Sequence, residues 1–163
     1  MPSTVPRNRG RWAYESISPG QFILAARLMD KINDAQEAGE KPDIKGHHRS
    51  IVMDAYKKSV VVYFLGCMAS GLVKIGMTCN LEQRIKALRT MSPVPLRLLA
   101  APVCHPIAEM ALHEMLKEQR SHGEWFKMDG AVLDAIDAAQ ESNEAIAKFY
   151  VDTAETLLYK NSV

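Results

Sequence analysis

The chain has no excess of either charge: 20 lysines and arginines stand against 19 aspartates and glutamates, a formal net charge of +1 over 163 residues. That balance excludes the global positive field of a protein that coats nucleic acid indiscriminately, so any site for a polyanion must be local. Cysteine is scarce as well. Cys67, Cys79 and Cys104 are odd in number, lack CxxC spacing and have no companion His/Cys cluster. This excludes a disulfide framework and a zinc knuckle, and fits free thiols in a reducing cytoplasm. No apolar run approaches the roughly 18 residues of a membrane span, and the amino terminus has no signal-peptide core. A cytoplasmic protein without membrane attachment is expected. Internal repeats and low-complexity tracts are missing too, which excludes a solenoid.

What is present is ordinary globular composition, 47% hydrophobic and 24% charged, at a length that supports one packed core. Charge is unevenly placed. Arg7, Arg9 and Arg11 crowd the amino terminus, and between residues 74 and 97 Lys74, Arg84, Lys86, Arg89 and Arg97 face Glu82 alone, while residues 129–155 are mostly acidic.

Residues 1–17 hold Pro2, Pro6, Gly10 and the three arginines without apolar periodicity and read as a flexible basic arm. Ser18, followed by Pro19 and by Gln21 three residues on, is a capping-box start. The stripe Phe22, Ala25, Ala26, Met29 and Ile32 predicts a helix that Gly39 stops. With a short helix near 48–57, residues 18–58 form an N-terminal helical extension. The valines and aromatics of SVVVYFLGC predict a strand, and turn residues Gly66, Ser70 and Gly71 return the chain as LVKIGM. Asn80 with Gln83 opens a helix carrying Leu81, Ile85 and Leu88 on one face, until Ser92-Pro93 ends it. PLRLLAAPV reads as a third strand, Pro106 as the start of a helix to about Arg120, and SHGEWFKMDG as a loop. Val132, Ile136, Ala139, Ile146, Leu157 and Leu158 predict one or two amphipathic helices across 129–163. The expected fold is α+β, with a small three-stranded antiparallel sheet flanked by helices over 59–128 and added helices at both ends.

Within that frame the polar residues are unusually placed. Tyr63 falls mid-strand, Lys74 on the returning strand directly before Ile75-Gly76, and Arg84 on the first turn of the next helix, its base anchored by Leu81 and Leu88. Singly, each has an ordinary reading as a core tyrosine, a solvated lysine and a helix-surface arginine. Their spacing together makes a phenol and two cations the candidates for one site.

The segments Val61-Val62-Tyr63 and Lys74-Ile75-Gly76, then Arg84, Glu109 and Gly123-Glu124-Trp125-Phe126, resemble the GIY-YIG nuclease superfamily in order and spacing. The resemblance is to its phage and bacterial branch, with Val61 in place of the first glycine and Lys74 in place of the first tyrosine. It implies a metal-dependent endonuclease hydrolysing DNA phosphodiester bonds, with Glu109 as ligand of Mg²⁺, for which Mn²⁺ can substitute.

Such hydrolysis needs an activated water in line with the leaving oxygen and positive charge at the phosphate. Arg84 offers a guanidinium fork, and Lys74 a second cation or a proton acceptor. Tyr63 would orient or deprotonate the water; because a phenol is a poor base at neutral pH, the second role requires the neighbouring cations. His113, one helical turn beyond Glu109, is open between a proton carrier, a phosphate contact and a packing residue. Glu124 is open between a second acidic contributor and the structural partner of an arginine. Lys86 and Arg89 join Lys74 and Arg84 as expected nucleic-acid contacts. A second reading keeps the fold as a catalytically inactive module that binds nucleic acid or a protein. A third makes the chain a structural subunit, with a homo-oligomer or partner surface on the terminal helices.

Overall fold

The computed structural model describes residues 17–161; the basic arm with Arg7, Arg9 and Arg11 lies outside the described residues, apart from Ile17 at its end. Helix α1 (Pro19–Glu37) starts where the capping box places it: the Gln21 N–H donates to Ser18 Oγ at 3.0 Å, and the Ser18 N–H donates to Gln21 Oε1 at 3.1 Å. Beyond its end Gly39 takes φ +70°, a conformation that glycine adopts without strain. Helix α2 (Gly46–Lys58) leads into strand β1 (Val60–Cys67), which turns back as β2 (Leu72–Thr78). Helix α3 (Leu81–Met91) follows, its first turn capped by Asn80 Oδ1 accepting from the Gln83 N–H at 3.1 Å. Then come β3 (Arg97–Ala100), β4 (Val103–Cys104), α4 (Ala108–Met115), a 3₁₀ turn (Lys117–Gln119), β5 (Arg120–His122) and β6 (Trp125–Lys127). Helices α5 (Gly130–Glu141) and α6 (Asn143–Asn161) complete the described chain.

The class is α+β, but the expected three-stranded sheet is corrected to six antiparallel strands. Their order is β3-β1-β2-β6-β5, with β4 also pairing β1. Two local causes account for the difference. The expected third strand divides at Ala101-Pro102, because proline brings no N–H to a ladder; the Pro102 carbonyl instead accepts from the Val62 N–H at 3.0 Å. The expected loop SHGEWFKMDG is a hairpin, β5–β6, whose strands of three residues are too short to display alternation. Likewise the helix expected from Pro106 to about Arg120 runs only from Ala108 to Met115: Pro106 and Ile107 form a turn ahead of it, with the Ile107 N–H taken by His105 Nδ1 at 3.1 Å, and a 3₁₀ turn follows it.

β1 is buried on both faces. Val62 and Phe64, with Val73, Ile75 and Phe126 from β2 and β6, face the main core, which also takes Phe22, Leu112, Ile136, Ile146 and Tyr150 from the helices. Tyr63 and Leu65 face the other way and meet Ile85, with Leu81, Leu88, Leu96 and Leu98 around them. One strand with period two thus serves two cores.

The N-terminal helices share the main core with the sheet. Helix α6 packs against α1, α4 and α5. Asp30 of α1 accepts from the Asn143 and Glu144 N–H groups at 3.2 and 3.0 Å, satisfying two donors at the start of α6. The Asn143 side chain in turn accepts from the Val103 N–H at 2.8 Å, which ties α6 to β4.

Candidate functional site

The second face of the sheet collects the polar residues. Across the β1–β2 ladder Tyr63 pairs with Gly76 and Leu65 with Lys74, and across β2–β6 Lys74 pairs with Trp125. Directly opposite residues of an antiparallel pair share a face, so Tyr63, Lys74 and Trp125 line one surface. Gly76 has a steric reason to be glycine: a Cβ there would collide with the hydroxyl and ring of Tyr63. The phenol therefore crosses β2, and its own ring is buried.

Arg84 arrives from the first turn of α3. Its Nε donates to Tyr63 Oη at 3.4 Å, a long hydrogen bond that still fixes which side of α3 the guanidinium occupies. Tyr63 raises the guanidinium pKa most, against the opposing effect of burial, and Glu124 and Glu109 raise it further. Two carboxylates are thus within electrostatic reach of one arginine.

Glu124 supplies the partner of Lys74: Nζ stands 2.7 Å from Glu124 Oε2 and 5.8 Å from the centre of the Trp125 ring. Of the two readings left open for Glu124, neither is excluded: its ion pair is with Lys74, and it also acts through space on Arg84. The backbone is pinned as well, the Ile75 N–H donating to the Glu124 carbonyl at 3.1 Å.

Glu109 and His113 owe their placement to the free edge of β2. β6 pairs only with Leu72–Lys74, which leaves the later backbone groups of β2 to be satisfied by something else. α4 does this. His113 Nε2 donates to the Ile75 carbonyl at 2.8 Å, and the Met77 backbone favours the charged form of the Glu109 carboxylate. Burial raises the Glu109 pKa first and Glu124 adds to it, while His113, the Met77 hydrogen bond and Lys74 oppose the rise. His113 also stacks at a tilt on Phe126, with ring centres 5.1 Å apart. Its placement favours packing among the three readings left open.

The structure therefore brings together Tyr63, Lys74, Arg84, Glu109 and Glu124, with His113 behind them. It does not bring Lys86 and Arg89 to that cluster. They lie toward the other border of the apolar stripe of α3, lining a groove with Leu81, Glu82, Ile85, Thr90 and Leu98, and Arg89 Nε donates to the Leu96 carbonyl at 3.2 Å. Reading the sequence alone missed the parts of Gly76, Met77 and Trp125. A signal for two of them lies in the register, since Gly76 must face Tyr63 once β1 and β2 pair, and Trp125 must face Lys74 once β6 is recognised as a strand.

Among the described residues no group of three or more His, Cys, Asp or Glu side chains is placed to hold a metal ion. The donor set fits only a hard cation held through a carboxylate, such as Glu109, with water filling most of its shell. Among the same residues no helix is long and apolar enough to cross a membrane.

No curated protein and no solved structure matches the chain. One family does, the T5orf172 domain, over residues 61–143, just over half of the chain. That match overturns the resemblance to the GIY-YIG superfamily. The motifs behind the resemblance were short, and several have structural causes on this sheet: Gly76 gives room to Tyr63, Trp125 lies beneath Lys74, and Phe126 fills the main core. The match also runs beyond the last of those motifs, through β6 and α5 to the start of α6. The chain belongs to the T5orf172 domain family.

Proposed function

We propose that this chain grips the backbone of DNA on the Tyr63–Lys74–Trp125 face and hydrolyses a phosphodiester bond there as a metal-dependent endonuclease. Membership of a nuclease-associated family supports the coarser part, a function on nucleic acid. The observation that carries the finer part is the Arg84–Tyr63 hydrogen bond, which sets a phenol and a cation at one point with Glu109 and Glu124 in electrostatic reach.

In this reading Arg84 binds a phosphate through its planar fork, and Lys74 adds a second cation to the same phosphate. Tyr63 Oη, already hydrogen-bonded to Arg84, orients the attacking water against phosphorus. Glu109 would be the residue to hold Mg²⁺ or Mn²⁺, and such an ion would supply positive charge for the leaving oxygen. His113 keeps α4 on the edge of β2 and so positions Glu109. Lys86 and Arg89 extend the contact along the DNA from the far side of α3. Replacing Tyr63 by Phe and, separately, Arg84 by Ala tests this directly with supercoiled DNA as substrate. Tyr63→Phe is expected to bind DNA normally and lose cleavage by about 100-fold, and Arg84→Ala to lose both. Full cleavage by Tyr63→Phe would remove the phenol from the mechanism.

A second reading is a module that binds nucleic acid without cutting it. The occupied state of Lys74, held by Glu124 at 2.7 Å, and of His113, held by the Ile75 carbonyl, favours it. DNA binding that Arg84→Ala abolishes, without metal-dependent nicking by the unaltered chain, would select it.

A further inference from the structure

We infer that Glu124 is a built-in stand-in for the phosphate: its carboxylate occupies Lys74 until a nucleic-acid phosphodiester displaces it, so that Glu124 selects against weakly held anions. The inference rests on the proposed nucleic-acid site and adds a residue to it.

The pair is asymmetric. The Lys74 side chain is 13% exposed and the Glu124 side chain 41%. Lys74 has Trp125 beneath its ammonium and neighbours on two strands, so its charge stays at the site. Glu124 sits in the turn between β5 and β6 with its carbonyl fixed by the Ile75 N–H, and only its side chain needs to rotate for the carboxylate to reach water. A phosphate oxygen makes the same charge-assisted hydrogen bond to an ammonium as a carboxylate oxygen does. Glu124 also acts through space on Arg84 and Glu109, so its departure removes a negative charge from the neighbourhood where the phosphate arrives. An anion too weak to compete with a carboxylate held at 2.7 Å meets a site whose lysine is already neutralised.

The test is the affinity of the full chain for a short fluorescein-labelled DNA in excess chelator, followed by fluorescence anisotropy. Glu124→Gln, which keeps the shape and removes the charge, is expected to bind about tenfold more tightly, and Glu124→Ala likewise. The gain should vanish when Lys74→Met is present in the same chain, because the displaced contact is gone. Glu114→Gln removes a carboxylate paired with Lys117 on the outside of α4 and controls for net charge; its affinity should be unchanged. Unchanged or weaker binding by both Glu124 variants would overturn the inference, as would a gain that persists beside Lys74→Met or is matched by Glu114→Gln. If the unaltered chain and Arg84→Ala bind the DNA equally, or neither binds, the site reading fails. Binding that needs Arg84 but ignores Glu124 leaves that reading in place and removes only the stand-in.

Discussion

Tyr63 lies across Gly76: the two are partners in the β1–β2 ladder, and the phenol occupies the space that a side chain at Gly76 would need. The consequence is that the smallest change at position 76 acts on the tyrosine. Gly76→Ala should destabilise the fold by about 1–3 kcal/mol through overpacking, and should break the Arg84–Tyr63 hydrogen bond as the ring is pushed aside. Urea unfolding beside the unaltered chain checks it, and equal stability would mean that the phenol is not held over β2.

The two borders of α3 should differ in what they contribute. Arg84 meets Tyr63, whereas Arg89 donates to the Leu96 carbonyl on the other side of the apolar stripe. Arg84→Ala is expected to lower DNA affinity at every sequence and to reduce the slope of log affinity against log salt by about 1. Arg89→Ala should lower affinity less, with cleavage kept. A larger loss from Arg89→Ala would move the primary phosphate contact to the groove with Leu98.

His105 makes stability depend on pH. Its ring is buried, Nε2 donating to the Ile17 carbonyl at 3.1 Å and Nδ1 accepting from the Ile107 N–H, and burial lowers its pKa to about 4. The unfolded chain takes up this proton near pH 6.5 and the folded chain only near 4, so the unfolded state binds more protons between those values. Stability is therefore fully present above pH 6.5, falls as the pH drops toward 4, and levels below it, a loss of up to roughly 3 kcal/mol from this group. Urea midpoints across that range measure the slope, and His105→Gln should flatten it while lowering stability at pH 7. An unchanged slope in that variant would place the titration elsewhere.

Legibility in the sequence followed chemistry that is local. The capping pairs Ser18 with Gln21 and Asn80 with Gln83 stand where the sequence places them, because a side chain that accepts from a backbone N–H three residues on needs no tertiary partner. The β1–β2 hairpin was legible for a similar reason: a run of valines and aromatics, a turn with glycine and a returning run. What escaped depends on distant chain. β4 has two residues and β5 and β6 three each, and their strand character comes from pairing with β1 and β2 rather than from their own pattern. Tyr63 and Arg84 could be placed at one site from spacing, but Glu109 and His113 reach it because β6 stops at Lys74 and leaves the edge of β2 to α4. His105, expected at a loop or cap, accepts from the Ile107 N–H just ahead of α4 and is buried, because the Ile17 carbonyl and the Tyr150 hydroxyl, from distant parts of the chain, bond to it.

The claim that this cluster is a metal-assisted phosphodiester site is tested most directly by nicking of supercoiled DNA. The full chain and Glu109→Ala are compared in Mg²⁺, Mn²⁺ and EDTA, with matched thermal unfolding to show that both are folded. Nicking by the unaltered chain in either metal is expected, with none in EDTA and a loss of about 100-fold or more in Glu109→Ala. Nicking that is equal in the two proteins, or indifferent to EDTA, would contradict it.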